Sequence, residues 1–158
     1  MRKINIALAL TAAVLAVLCW LSVSEPMRFD KERERREAVV KQRLVSIRAA
    51  AERFRQRSGA YTGSLQTLVD SAGLADSLRY IPFAAGKRTF HLQASSVVSR
   101  AGRSTPVMEC YATYDEYLDG LDRDEIMSLT SAAGAAGRFA GLKIGDLGTP
   151  NDNSGNWE

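Results

Sequence analysis

Val40-Lys41-Gln42-Arg43-Leu44-Val45-Ser46-Ile47-Arg48-Ala49-Ala50-Ala51-Glu52-Arg53-Phe54 is the stretch from which the fold is read. Val40, Leu44, Ile47, Ala51 and Phe54 recur at spacings of three and four, which puts them on one face of an α-helix. Such a stripe must be covered, so this helix belongs to a packed domain. Downstream, Ser58-Gly59 supplies a stop. Upstream, the pattern reaches Asp30, which reads as an N-cap, through Lys31–Glu37, a segment almost wholly charged and with no face to bury. A helix over 30–58 is predicted, exposed in its first part and packed in its second. Glu25-Pro26 ahead of it permits a kink.

Further upstream, a basic start, Met1-Arg2-Lys3, precedes Ile4 to Val23, 20 residues without a charge. As a helix this run is about 30 Å long, the thickness of a bilayer's hydrocarbon core. Trp20 suits the interface. The expectation is a membrane-spanning anchor over 1–24. The alternative is a signal peptide, with Ser22 and Ser24 before a cut at Glu25. Arg28, Lys31, Arg33, Arg35, Arg36, Lys41 and Arg43 follow closely, and a positive-inside count draws that side toward the cytoplasm. The signal-like start, and the translocation of long domains regardless of charge, point the other way. We expect the bulk of the chain outside the cytoplasm.

Beyond the helix, Gly59–Gly63 reads as a turn. Leu65, Leu68 and Val69 read as a short helix capped by Ser64 or Thr62. Thr89–Ala94 alternates, with Phe90 and Leu92 on one face, and Pro106–Tyr114 is rich in strand formers. Ser99–Ser104, containing Gly102, can join them as a hairpin. Asp122-Arg123-Asp124-Glu125 reads as a capping box opening a helix with Ile126, Met127 and Leu129. Leu142-Lys143-Ile144 is a third strand, and 145–158 is turn-rich. The fold expected is α+β: an N-terminal transmembrane helix continuing into a long amphipathic stalk helix packed on a small antiparallel β-sheet head. The segments are 1–24 anchor, 25–58 stalk, 59–144 head and 145–158 tail.

The 158 residues, less the apolar run, leave room for one small domain and exclude a large multidomain enzyme or a polytopic transporter. Residues 24–57 carry net charge +5 and 58–158 carry −4. That split reads either as a solvated helix of alternating charge or as a basis for head-to-neck contacts between neighbours. Cys19 in the apolar run and Cys110 in a strand cannot pair within one chain if the run stays in a membrane, and Cys110 reads as a core residue. His91 is the lone histidine, on the polar face of a strand. No Cys/His cluster, Ser-His-Asp set or Gly-rich phosphate loop is present, so no enzyme is expected. Asp115, Glu116, Asp119, Asp122, Asp124 and Glu125 form an acidic group able to meet a cation or a basic partner, and read more simply as helix starts on a solvated face. Positions 28–57 are Arg-rich but hold two aromatics, which does not fit nucleic-acid readout; beside a membrane they suit anionic headgroups.

Taken in order, the apolar span with its basic start, Pro26 and the charged Asp30-Lys31-Glu32-Arg33, Ile47-Arg48-Ala49-Ala50-Ala51-Glu52-Arg53-Phe54 running into Gly59-Ala60-Tyr61, and a Gly/Asn/Asp-rich end closing on Gly155-Asn156-Trp157-Glu158 resemble a type IV pilin-type protein, most of all the major pseudopilin of type II secretion. The resemblance covers about the first 70 residues and the last 14. It departs from that family in having no Gly before Ile4 and no acid in the apolar run, the first being Glu25. The resemblance implies a non-enzymatic, membrane-anchored structural subunit of a bacterial envelope secretion or filament assembly. The departures favour an alternative, a single-pass anchored adaptor that does not polymerise. The implied location is the bacterial inner membrane, with the C-terminal domain in the periplasm. The implied partners are the bilayer, other envelope-complex proteins and, through the stalk, further copies. The resemblance also implies calcium held by the tail, with Asp146 and Asp152 in the matching positions helped by Asn151 and Asn153; no other cofactor is expected. Two segments are expected to meet partners: the stalk face Val40, Leu44, Ile47 and Phe54, and a docking tail of Asn156, Trp157 and Glu158.

Overall fold

The computed structural model describes residues 2–98 and 102–158; within the first helix the side chains of 2–9 and 19–26 lie outside the described residues. The chain divides into two compact units, Met1–Glu34 and Arg35–Glu158. Helix α1, Arg2–Ser58, begins in the first and ends in the second.

In the first unit every side chain described from Leu10 to Leu18 is exposed, Leu10, Val14, Leu15, Val17 and Leu18 among them. Among the described residues no helix is long and apolar enough to cross a membrane. Most of the anchor expected over 1–24, Cys19 and Trp20 included, falls outside the described side chains. The helix start placed at Asp30 is corrected. α1 is already helical there and passes through Glu25-Pro26 without a break. Pro26 removes one N–H and does not end the helix. Asp30 pairs with Arg33 on the next turn at 3.4 Å instead of capping.

The second unit is α+β. After α1 stops at Ser58, with Gly59 in the left-handed region at φ 81°, come α2 (Leu65–Ala72), a 3₁₀ turn (Asp76–Arg79), β1 (His91–Val98), β2 (Ser104–Thr113), α3 (Tyr114–Tyr117), α4 (Arg123–Ala135) and β3 (Gly141–Gly145). Ser64 caps α2 by accepting from the Thr67 N–H at 3.2 Å. Asp122 caps α4, accepting from the Asp124 and Glu125 N–H groups at 2.9 and 3.0 Å. The strands form an antiparallel sheet in the order β1-β2-β3. Leu92, Cys110 and Ile144 stand in one row across it, and Met108 and Ala112 share their face. Met108, Cys110, Ala112 and Ile144 are fully buried, as are Val40, Leu44, Ile47, Ala50 and Ala51 on α1. The stripe and the sheet's inner face thus form one core. Val40, Leu44 and Ile47, expected to face a partner, are corrected to core residues: the chain's own sheet leaves them no surface to offer. Phe54 is half-buried.

A set of arginines fastens α1 to the head. Arg36 donates to the Tyr117 and Asp119 carbonyls at 3.2 and 2.9 Å, at the end of α3. Arg43 donates to the Ser77 and Tyr80 carbonyls at 3.2 and 2.6 Å. Arg53 donates to Ala72 at 3.0 Å and Arg57 to Ser71, in the last turn of α2. The last carbonyls of a helix lack intrahelical donors, and guanidinium groups supply them. Much of the basic neck is therefore committed inside the chain.

Candidate functional site

The densest polar contacts lie where the tail meets α1. Glu52, near the end of α1, faces the turn that carries Tyr61 and receives its hydroxyl hydrogen bond. Asn153 completes the cluster: its amide donates to Glu52 Oε1 at 2.6 Å and to the Tyr61 oxygen at 2.7 Å. Asn153 is buried, and it follows Asp152 in a left-handed pair with φ of 53° and 55°. Asx side chains tolerate that conformation better than most L-residues. Burial, and then the bond to Glu52, push the Tyr61 hydroxyl up to about 12. The Glu52 carboxylate also pairs with Arg55 at 3.1 Å.

The rest of the tail is laid along the sheet edge. Gly145 N–H donates to Ser154 at 3.1 Å and Asn156 N–H to Lys143 at 2.9 Å. The Asn156 side chain takes the Lys143 N–H at 3.1 Å and gives to the Gly141 carbonyl at 3.0 Å. Arg48 donates to the Asn153 carbonyl at 3.1 Å and to the Glu158 carboxylate at 3.0 and 3.2 Å. Two glycines are dictated by close approach. A Cβ at Gly155 would lie 2.7 Å from the Trp157 ring, and one at Gly145, where φ is 71°, would lie 2.1 Å from the Met108 carbonyl oxygen. Asn156 and Glu158, expected as a docking tail, are thus bonded within the chain. Trp157 is half-buried and walls a groove of about 350 Å³ shared with Lys41, Tyr114, Arg138 and Phe139.

Asp146 and Asp152 line one small cavity of about 50 Å³. Asp146 Oδ1 accepts from the Gly148 and Thr149 N–H groups at 2.8 and 3.0 Å, and Oδ2 takes Lys143 Nζ at 3.1 Å. Those backbone bonds first, and Lys143 with them, hold the Asp146 carboxyl below the usual range. Lys143 also reaches Glu109 at 3.1 Å. Partial burial lowers the lysine's pKa, but the two carboxylates outweigh it and hold it above its ordinary value. Calcium takes six to eight oxygens. Here one of two carboxylates is already matched to an ammonium group, Arg55 lines the same cavity, and no group of three metal-ligating acids, histidines or cysteines exists among the described residues. This donor set does not fit a calcium ion as it stands.

The acidic group is dispersed by role. Asp122 caps α4, and Asp124 and Glu125 sit in its first turn. Glu116 is buried and closes a capping box with Thr113, accepting from its N–H at 2.9 Å and its hydroxyl at 3.2 Å. His91, stacked on Tyr111 at 4.8 Å, meets Glu116 at 2.8 Å. Burial works to raise the Glu116 pKa, yet the Thr113 N–H and His91 prevail and hold it below the usual value. Cys110 is a core residue whose thiol burial pushes well above its ordinary value.

The sequence reading missed Arg48, Glu52 and Tyr61 as a set with Asn153. A signal was present in Asn151-Asp152-Asn153, a run of residues that tolerate left-handed backbone, but its partners lie 92 and 101 positions away. No family model matches the chain, and neither does any curated protein or solved structure.

Proposed function

We propose that this chain is a non-enzymatic, membrane-anchored, pilin- or pseudopilin-like structural subunit of a bacterial envelope assembly, with its head on the periplasmic side. The observation that carries the reading is α1. One continuous helix bears uncovered apolar residues at 10–18 and, from Val40 to Ala51, a stripe buried in its own head. That is the design of a part which presents one end of a helix to lipid or to other helices while the other end holds a domain. The tail clasp supports it too, since it ties the Gly59–Tyr61 turn and the chain's end to the same helix. The second reading is an anchored adaptor that never polymerises; it is favoured by the absence of an acid in the apolar run.

The test combines membrane extraction with mass spectrometry of the mature N-terminus and cross-linking from Val45→Cys, a surface position on α1. Resistance to alkaline extraction, with self-cross-links in cells, is the expected result. Cross-links only to other proteins would leave the adaptor. A start at Glu25, with the protein free of the membrane, would discard both.

A further inference from the structure

The groove of about 350 Å³ at Trp157 is walled by three rings, Tyr114, Phe139 and Trp157, each half-buried and so partly open to solvent. Its three cations are not equal. Lys143 is held by Glu109 and Asp146 at 3.1 Å each, and Lys41 pairs with Glu37 at 3.6 Å. Arg138 is exposed, and among the described residues no hydrogen bond or ion pair engages its guanidinium. Aromatic walls with one uncommitted guanidinium suit an apolar side chain that has a carboxylate beside it.

Such a pair stands on the outer face of α4. Met127 is 59% exposed. Asp124 precedes it by three residues and so lies beside it on the helix surface. Asp124 is exposed as well, and among the described residues nothing engages its carboxylate. Arg123, one turn before Met127, is the other charged flank, and Glu37 in the groove has the sign to meet it. Methionine is flexible and polarizable and packs well on aromatic rings. The two halves cannot meet within one chain. Met127 stands six residues ahead of Ala133, which lines the groove, and the helix holds the two about 9 Å apart along its axis. Helical side chains also lean toward the N-terminus, which carries Met127 away from the groove.

We propose that the groove at Trp157 takes Met127 and Asp124 of a second copy of this chain, with the Met127 side chain against the rings and the Asp124 carboxylate on Arg138. This rests on the subunit reading above and on the placement of both halves of the contact in one sequence, each without an internal match, so that the same contact repeats from copy to copy. The opposite charges steer the encounter and fix its register, while burial of Met127 on the rings supplies the holding energy.

The experiment uses the full chain in mild detergent, followed by analytical ultracentrifugation across the micromolar range. The wild-type chain is expected to associate reversibly. Arg138→Glu and Asp124→Lys, both at exposed positions, should each raise the dissociation constant about tenfold or more by setting like charges together, with unfolding midpoints little changed. Mixed in equal amounts, the two variants should associate again, because every contact in the mixture then joins opposite charges. Met127→Ser should weaken association of the wild-type chain. Lys87→Glu, exposed on the turn before β1 and lining no part of the groove, should leave it unchanged. A wild-type chain that stays monomeric overturns the proposal, as does a mixture of the two folded variants that stays apart. Association indifferent to both charge reversals also overturns it, by moving the contact to another surface, and leaves the subunit reading standing. That reading fails separately, through release of the chain on alkaline extraction. Cross-links in cells from a photoreactive residue placed at Arg138 to a different protein, instead of a second copy, overturn the proposal as well.

Discussion

Asn153→Ala is the perturbation that most directly tests the clasp between tail and α1. The substitution removes one hydrogen bond to a charged acceptor, Glu52, and one to the Tyr61 hydroxyl oxygen. A bond to a charged group contributes about 1.5–3 kcal/mol and a neutral one about 0.5–1.5. Glu52 keeps Tyr61 and Arg55, so its carboxylate is not stranded, and the low end of each range applies. Alanine must also adopt the φ of 55° that asparagine tolerates, at about 1 kcal/mol more. The expected loss is about 3 kcal/mol for Asn153→Ala and about 2 kcal/mol for Asn153→Gly, which drops the same bonds without the backbone strain. The assay is urea unfolding of the full chain in detergent, in a Trp20→Phe background so that Trp157 alone reports. Losses below about 1 kcal/mol in both variants would refute the clasp. Glycine as costly as alanine would refute the backbone argument while sparing the hydrogen bonds.

Gly145→Ala should cost about 3 kcal/mol or more in the same assay, since its Cβ would meet the Met108 carbonyl oxygen at 2.1 Å with φ at 71°. Arg43→Ala should cost about 1.5–3 kcal/mol by baring two carbonyls, and Arg43→Lys should recover only part, because its ammonium group sits one atom nearer the backbone than the guanidinium nitrogen that makes both bonds. In an alkaline spectrophotometric titration, the Tyr61 step should come late, near pH 12, and Tyr61→Phe should remove it. Because Tyr61's folded value lies above its unfolded one, its contribution is whole below about pH 10 and is lost as pH climbs toward about 12. A calcium chelator should leave the melting temperature unchanged; a fall would show that an ion displaces Lys143 from Asp146.

What was legible in the sequence was whatever depends on near neighbours. The stripe Val40, Leu44, Ile47 and Ala51 needs only the helical period, and the alternation at Phe90 and Leu92 needs only the strand's. Ser64 and Asp122 cap helices that begin at the next residue. The same local reasoning failed at Asp30, where a residue of capping type has a competing partner, Arg33, one turn on. It also read His91 as solitary, because Glu116 is 25 positions away and is brought alongside by the turn from β2 into α3. The arginines that fasten α1 were illegible for another reason. Their partners are carbonyl groups, which every residue has and no letter marks. Which of them lie bare is known only when the ends of α2 and α3 are known.

The tail shows how a cluster read as a docking surface can also be part of the fold. Gly155-Asn156-Trp157-Glu158 stood out as a cluster that asks for neighbours, and an outward docking role followed from its terminal position. The structure ties three of the four to the chain itself: Gly155 and Asn156 complete the edge of β3, and the exposed Glu158 reaches Arg48. Deleting the four residues would therefore strip the sheet edge as well as any epitope, and a failure to bind could not tell the two apart. Trp157 is the residue whose ring is half free while its neighbours do the fastening. Trp157→Ala keeps the backbone pairing of the tail. If that variant stops binding a partner while its unfolding midpoint is little changed, the binding belongs to the groove that the ring shares with Lys41 and Phe139. The reason is energetic: the edge is held by backbone and Asn156 hydrogen bonds, whereas the indole supplies apolar area and a face for Lys41, whose Nζ lies 5.9 Å from the ring centre.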